Sequence, residues 1–163
     1  MIQPGSLDGG RSQDRAGGLS RFVPLRFNNR PNRIDAALAE FDNRAEVNRS
    51  ILGVGPPMGV ANPGLHLLVR KAGRTTGITE GIIRVVNFDV ASVEYENGLV
   101  RVDDVVVIEG VGDAFSEPGD SGSAVVDPQG RAVALLFAGT PQVTFATPIR
   151  RILNRFKVRI ATP

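Results

Sequence analysis

Between Leu65 and Ala146 the chain is a succession of short β-branched runs: Leu65 to Val69, Gly81 to Phe88, Ala91 to Tyr95, Leu99 to Ile108, Ser123 to Val126, Ala132 to Phe137 and Val143 to Ala146. Turn-forming segments such as Glu96-Asn97-Gly98 and Asp127-Pro128-Gln129-Gly130 separate them. Many short strands divided by turns at this spacing indicate an all-β barrel or sandwich. After the last run, Thr147-Pro148 offers an N-cap and a first-turn proline, and Ile149, Ile152, Leu153 and Phe156 follow at helical spacing. The pattern predicts a closing amphipathic helix with Arg150, Arg151 and Arg155 on its other face.

Upstream the texture differs. Met1 to Gly18 is Gly-, Ser-, Arg- and Asp-rich with almost nothing to bury, so it reads as a loop or tail. Leu19 to Phe27 mixes apolar and basic residues at strand spacing, with Pro24 favouring an edge or bulge. Arg33 to Phe41 reads as a second strand, although Ala36-Ala37-Leu38-Ala39 equally suits a short helix. Gly53-Val54-Gly55-Pro56-Pro57 cannot continue either element, so 53–64 is expected to be a linker between a first part, 1–52, and a strand-rich part, 65–163.

A length of 163 residues allows one ordinary domain or two small barrels, and 42% hydrophobic with 22% charged residues fits a globular chain. With no cysteine, disulfides, thiolate metal sites and a cysteine nucleophile are excluded. No apolar run reaches membrane-spanning length, and the first residues lack a basic region followed by an apolar core. The expectation is a chain without an export signal, cytoplasmic by default. The formal charge is only +2, and Lys71 and Lys157 are the only lysines, which disfavours a nucleic-acid partner. The charges from Asp89 to Asp120 are acidic apart from Arg101, while Met1 to Arg33 and the C-terminal helix are basic.

The segment Glu117-Pro118-Gly119-Asp120-Ser121-Gly122-Ser123 carries the chemistry. A serine hydroxyl attacks a carbonyl only if a base takes its proton and fixed donors hold the resulting oxyanion. Glycines on both sides of Asp120-Ser121 open backbone conformations in which the N–H groups of Gly119 and Ser121 converge on one point. Standing alone, Gly-Asp-Ser-Gly is also a serviceable turn between strands. Asp35, set in the apolar run Ile34-Asp35-Ala36-Ala37-Leu38, either has a partner with a functional reason or caps backbone N–H groups at a strand end.

Taken in order, these segments resemble the bacterial trypsin-like serine proteases of the chymotrypsin fold. Lys71-Ala72-Gly73-Arg74-Thr75-Thr76-Gly77 is similar to the element that opens the second barrel in that family. Asn32 to Ala39 resembles the segment bearing the catalytic aspartate, and Leu135 to Thr140 the strand walling the specificity pocket. The resemblance implies an all-β, chymotrypsin-like double β-barrel with an incomplete first barrel in 1–52, a second barrel in 65–163 and a C-terminal α-helix. It also implies a serine endopeptidase acting through an acyl-enzyme on polypeptide substrates, without metal or cofactor. Ser121 would be the nucleophile, Asp35 the orienting carboxylate, Gly119 and Ser121 the oxyanion donors, and Phe115, Ala138 and Gly139 the substrate pocket. The family's histidine precedes its aspartate, whereas the one histidine here is His66. The chain is therefore expected to be truncated before the general base and inactive as it stands. The alternative is a non-catalytic module that binds extended peptides.

Overall fold

The computed structural model describes residues 1–43, 47–89 and 91–163. They divide into two compact units, Met1–Pro24 with Ala36–Asn48, and Leu25–Asp35 with Arg49–Pro163. Residues Leu25–Asp35 thus belong with the strand-rich part rather than with the first part as the sequence reading has it.

In the first unit β1 (Gly17–Phe22) and β2 (Ala37–Phe41) pair antiparallel, with Leu19 opposite Ala39 and Phe22 opposite Ala37. Alanine's helix propensity is overridden by strand pairing, which decides between the two readings of Ala36–Ala39. A bulge between Leu19 and Arg21 keeps Leu19, Phe22, Ala37, Ala39 and Phe41 on one apolar face. Among the described residues no other strand joins this sheet, and Leu19, Phe22 and Phe41 are exposed. The segment before β1 is held by hydrogen bonds rather than left as a tail. The Met1 ammonium donates to the Gly17 carbonyl at 2.7 Å, the Ala16 N–H to Met1 at 3.0 Å, and Arg15 pairs with Asp42 at 2.8 Å.

The second unit contains β3 (Leu68–Gly73), β4 (Gly77–Phe88), a hairpin of β5 (Ala91–Tyr95) and β6 (Gly98–Val102), then β7 (Val105–Gly110), β8 (Ala124–Val126), β9 (Ala132–Gly139) and β10 (Val143–Pro148). Six of these close a barrel in the order β10-β7-β4-β3-β8-β9, every neighbouring pair antiparallel. Val69, Ile83, Val106, Ile108, Val125 and Leu136 fill it. The expected strand Leu99 to Ile108 is two strands, because Asp104 takes a left-handed φ of 62° and turns the chain from β6 into β7. β7 shows no polar alternation for a simple reason. Val106 and Ile108 face the barrel interior, while Val105 on the other face joins Val100, Val102 and Phe137 in a second cluster.

The closing helix, α1 (Ile149–Phe156), buries Ile149, Ile152 and Phe156, the stripe its sequence spacing predicts. Thr147 does not cap it. That residue lies in β10 opposite Leu135 with its side chain wholly buried, and Pro148 occupies the N-cap position. Two of the helix arginines are engaged within the chain: Arg151 donates to the Asp104 carbonyl at 2.6 Å and pairs with the Asp104 carboxylate, and Arg150 donates to the Val60 carbonyl at 3.3 Å. No helix among the described residues is long and apolar enough to cross a membrane.

Candidate active site

The loop that carries Ser121 is built on buried Asp120. Its carboxylate accepts from the N–H groups of Thr75 (2.8 Å), Glu117 (3.0 Å) and Thr76 (3.2 Å), and from the Thr76 hydroxyl at 2.7 Å. The Lys71 ammonium stands 3.2 Å away, and both side chains are wholly buried. Lys71 also donates to the Thr76 hydroxyl and to the Gly77 carbonyl at 3.0 Å, so its three donors meet three oxygens. It is thereby committed to structure and is no base for Ser121. Burial alone would push the Asp120 carboxyl up, but the hydrogen bonds from Glu117, Thr76 and Thr75 outweigh it and hold the group well below the usual carboxylate range. A lysine two residues after buried Val69 on one strand is the sequence signal for this pair, since an inward ammonium requires a carboxylate.

That anchor shapes the backbone around Ser121. Gly119 has φ +105°, and a Cβ there would stand 2.3 Å from the Thr75 hydroxyl, so only glycine fits. The Gly122 N–H donates to Leu136 at 2.8 Å and the Leu136 N–H to Ser123 at 3.0 Å, tying the loop to β9. Among the described residues, neither the Gly119 nor the Ser121 N–H donates to a backbone carbonyl, which leaves both available to an oxyanion. Ser121 is exposed, and its hydroxyl donates to the Phe137 carbonyl at 3.1 Å.

Asp35 lies in the same unit as Ser121, positioned by a clamp centred on Asn32. The buried Asn32 side chain accepts from the Arg26 N–H at 2.9 Å and donates to the carbonyls of Arg26 (2.9 Å), Arg101 (3.0 Å) and Arg30 (3.3 Å). Its backbone bonds Arg101 and Asp103 at 2.9 and 2.8 Å, docking 25–35 along β6. Three residues later Asp35 accepts a 2.5 Å hydrogen bond from the Tyr95 hydroxyl on β5. Tyr95 is half-buried against the cluster that contains Phe137 and Ala138. Burial first, then the hydrogen bond to and the charge of Asp35, push its phenol well above the ordinary tyrosine value. A phenol held protonated in this way cannot serve as the base. No motif in the sequence points to Tyr95; only the docking of β5 and β6 brings it to Asp35.

His66 sits in the turn before β3, exposed, with φ +61°. Between Leu68 and Gly73 the strand rises about 16 Å at ~3.3 Å per residue, and Asp120 is held by Thr75 and Thr76 beyond that far end, with Lys71 reaching it from the strand's second half. His66 is thus at the wrong end of β3 to reach Ser121.

Beside Ser121 opens a cavity of about 450 Å³, lined by Ala114, Ser116, Pro118, Leu136, Ala138 and Gly139 among others. Phe115 is not in the lining: it is 2% exposed, packs in the barrel core and lies 6.0 Å from the Lys71 ammonium. Ala114 and Ser116 line the cavity, whereas Phe115 between them joins the barrel core. Among the described residues no group of three or more His, Cys, Asp or Glu is arranged to hold a metal.

A closed antiparallel six-stranded barrel, with a serine on the loop before its β8–β9 hairpin and a helix after its last strand, has the fold of the chymotrypsin-like serine proteases. Bacterial members provide the matches. The chain is similar to Cellulomonas bogoriensis chymotrypsin (22% identity, 95% of this chain and 80% of that one, TM-score 0.66). It is also similar to Thermobifida fusca protease A (22%, 95% and 79%, TM-score 0.69) and to the Nocardiopsis protease (22%, 90% and 74%, TM-score 0.68). The sequence matches no protein-family model and no curated protein at a significant level. The likeness is one of fold.

Proposed function

We propose that Ser121, the Gly119 and Ser121 N–H groups and the adjoining cavity form the nucleophile and primary side-chain pocket of a serine-endopeptidase-type site for polypeptides. The observation that carries this is the exposed Ser121 lining the cavity, on a loop anchored by buried Asp120 whose Gly119 and Ser121 N–H groups donate to no backbone carbonyl among the described residues. In such a site the serine oxygen bonds to the substrate carbonyl carbon, and its proton passes through a base to the departing amine as the C–N bond breaks. Water then hydrolyses the ester by the reverse proton path. Among the described residues the Ser121 hydroxyl is bonded to the Phe137 carbonyl and to no titratable side chain, and Asp35 is taken by Tyr95. Turnover by this chain alone should therefore rest on the oxyanion site and binding, several orders of magnitude below a complete triad.

The Asp35–Tyr95 bond favours a second reading, a module that binds extended peptide without cleaving it. A fluorophosphonate probe with mass-spectrometric mapping separates the two. Rapid labelling confined to Ser121, with peptide hydrolysis lost in Ser121→Ala, supports the enzyme. Peptide binding that persists in Ser121→Ala, with no labelling and no hydrolysis, supports the module. Absence of labelling, hydrolysis and peptide binding alike would sink both.

A further inference from the structure

The cavity beside Ser121 holds one polar group that neither the nucleophile nor its anchor uses. Ser116, 8% exposed, lines the cavity, and its hydroxyl lies 2.6 Å from the hydroxyl of Thr144, which is 1% exposed and lies behind it. Two hydroxyls share one hydrogen bond, so one of their two protons is left over. Among the described residues the Thr144 hydroxyl has Ser116 as its one partner. Were Ser116 the donor, the Thr144 proton would be buried with no acceptor, the arrangement folded proteins avoid. Thr144 therefore donates, and the Ser116 proton is directed to the cavity. Gly139 keeps it reachable, since a Cβ there would stand 3.4 Å from the Ser116 oxygen.

The other polar side chains of the lining are otherwise engaged or placed at the mouth. Thr140 accepts from the N–H groups of Gln142 and Val143 at 3.2 Å, Ser121 donates to Phe137, and Glu117 is exposed. Ala114, Pro118, Leu136, Ala138 and Pro141 supply apolar wall. A wholly apolar side chain entering this space leaves the Ser116 proton unpaired. A cationic one needs several acceptors, and apart from the remaining lone pair of Ser116 the lining offers it only the exposed Glu117, too little for a desolvated charge. An anionic one meets a single neutral donor in a cavity that the Glu117 carboxylate also lines, too little for a desolvated charge.

We infer that the cavity selects an uncharged side chain whose tip accepts a hydrogen bond, such as glutamine or tyrosine, and that Ser116, oriented by Thr144, reads that tip. This rests on the cavity being the primary side-chain pocket of a peptide site, as proposed above. The test is fluorescence anisotropy with fluorescein-labelled tetrapeptides identical except for a C-terminal Gln, Met, Tyr, Phe, Glu or Arg. The expected result is about fivefold tighter binding of Gln over Met and of Tyr over Phe, one neutral hydrogen bond's worth, with Glu and Arg weaker than both. Ser116→Ala should abolish the preference. Because that variant strands the Thr144 hydroxyl, the double variant Ser116→Ala/Thr144→Val, which removes both groups at nearly constant shape, is the decisive arm. It should bind Gln and Met peptides within twofold of each other while keeping the Met affinity. Equal binding of Gln and Met by the unmodified protein overturns the inference, as does a preference surviving the double variant or a preference for Glu or Arg; in each case the peptide site itself stands. If none of the six peptides binds, the peptide-site reading falls and takes the inference with it.

Discussion

The Tyr95 hydroxyl donates to the Asp35 carboxylate across 2.5 Å, joining the end of the docked 25–35 segment to the β5–β6 hairpin. Tyr95 is the only tyrosine in the chain, and there is no tryptophan, so phenolate absorbance reports this one contact. Its folded value is raised by burial and by Asp35. Titration in the folded protein should therefore begin above the ordinary tyrosine value of about 10, and Asp35→Asn should move it down. The sign for stability follows. A raised acid keeps its full contribution below about pH 10 and loses it as pH climbs toward the folded value. Stability measured by chemical denaturation between pH 9 and pH 12 should accordingly fall less steeply with pH in Asp35→Asn than in the unmodified protein, whatever their difference at neutral pH. An unchanged phenolate midpoint would show that the bond does not persist in solution.

Asn32 is the device that delivers Asp35 to that contact, through four side-chain hydrogen bonds. Asn32→Ala removes the side-chain partner of the part-buried backbone groups of Arg26, Arg30 and Arg101, and should cost about 1–3 kcal/mol by urea denaturation. It should also lower the Tyr95 titration midpoint in the protein that remains folded, an effect that loss of stability alone would not produce.

The buried pair Lys71–Asp120 predicts both a mutational and an acid signature. Lys71→Met leaves an uncompensated carboxylate in the interior and should cost about 3–5 kcal/mol. Asp120 is held below the usual range, so its contribution is present in full above the unfolded value of about 3.9 and is lost as pH falls through the folded one. Chemical denaturation between pH 5 and pH 2 should show stability falling below about pH 4, by at most ~1.4 kcal/mol per pH unit for this proton. A flat profile over that range would remove Asp120 from the account.

Two glycines of the nucleophile loop should respond differently to alanine. Gly122 has φ +89° with open space around a Cβ, so Gly122→Ala should carry only the left-handed strain, about 1–2 kcal/mol. At Gly119 the same strain is compounded by a 2.3 Å clash with Thr75, whose hydroxyl also holds the Pro118 carbonyl at 2.8 Å. Gly119→Ala should therefore be the more destabilising of the two by thermal unfolding. The reverse order would place the loop in a different conformation from the one described.

The strands β3 to β10 and the helix stripe were legible because they rest on local rules: β-branched runs, turn residues between them, and apolar positions at i, i+3 and i+7. Where the reading slipped, a neighbour far away in sequence made the difference. Leu99 to Ile108 looks continuous, yet Asp104 turns it so that β6 stays with the hairpin and β7 enters the barrel. Phe115 is expected in the substrate pocket, but it packs in the barrel core, and which way it turns is set by where the core lies. Thr147 has the right composition for a cap and is instead claimed by β10.

By itself the sequence determined a Gly-flanked Asp120-Ser121, an aspartate at 35 and one histidine at 66, since residue identity and local backbone preference need no partner to be read. Tertiary structure decided the partners: Lys71 for Asp120, Tyr95 for Asp35, and Thr144 for Ser116. Each partner comes from an element brought near only by barrel closure or hairpin docking. Hydrogen bonds act over about 3 Å, so residues 28 to 60 positions apart in sequence meet only once the strands between them have found their register.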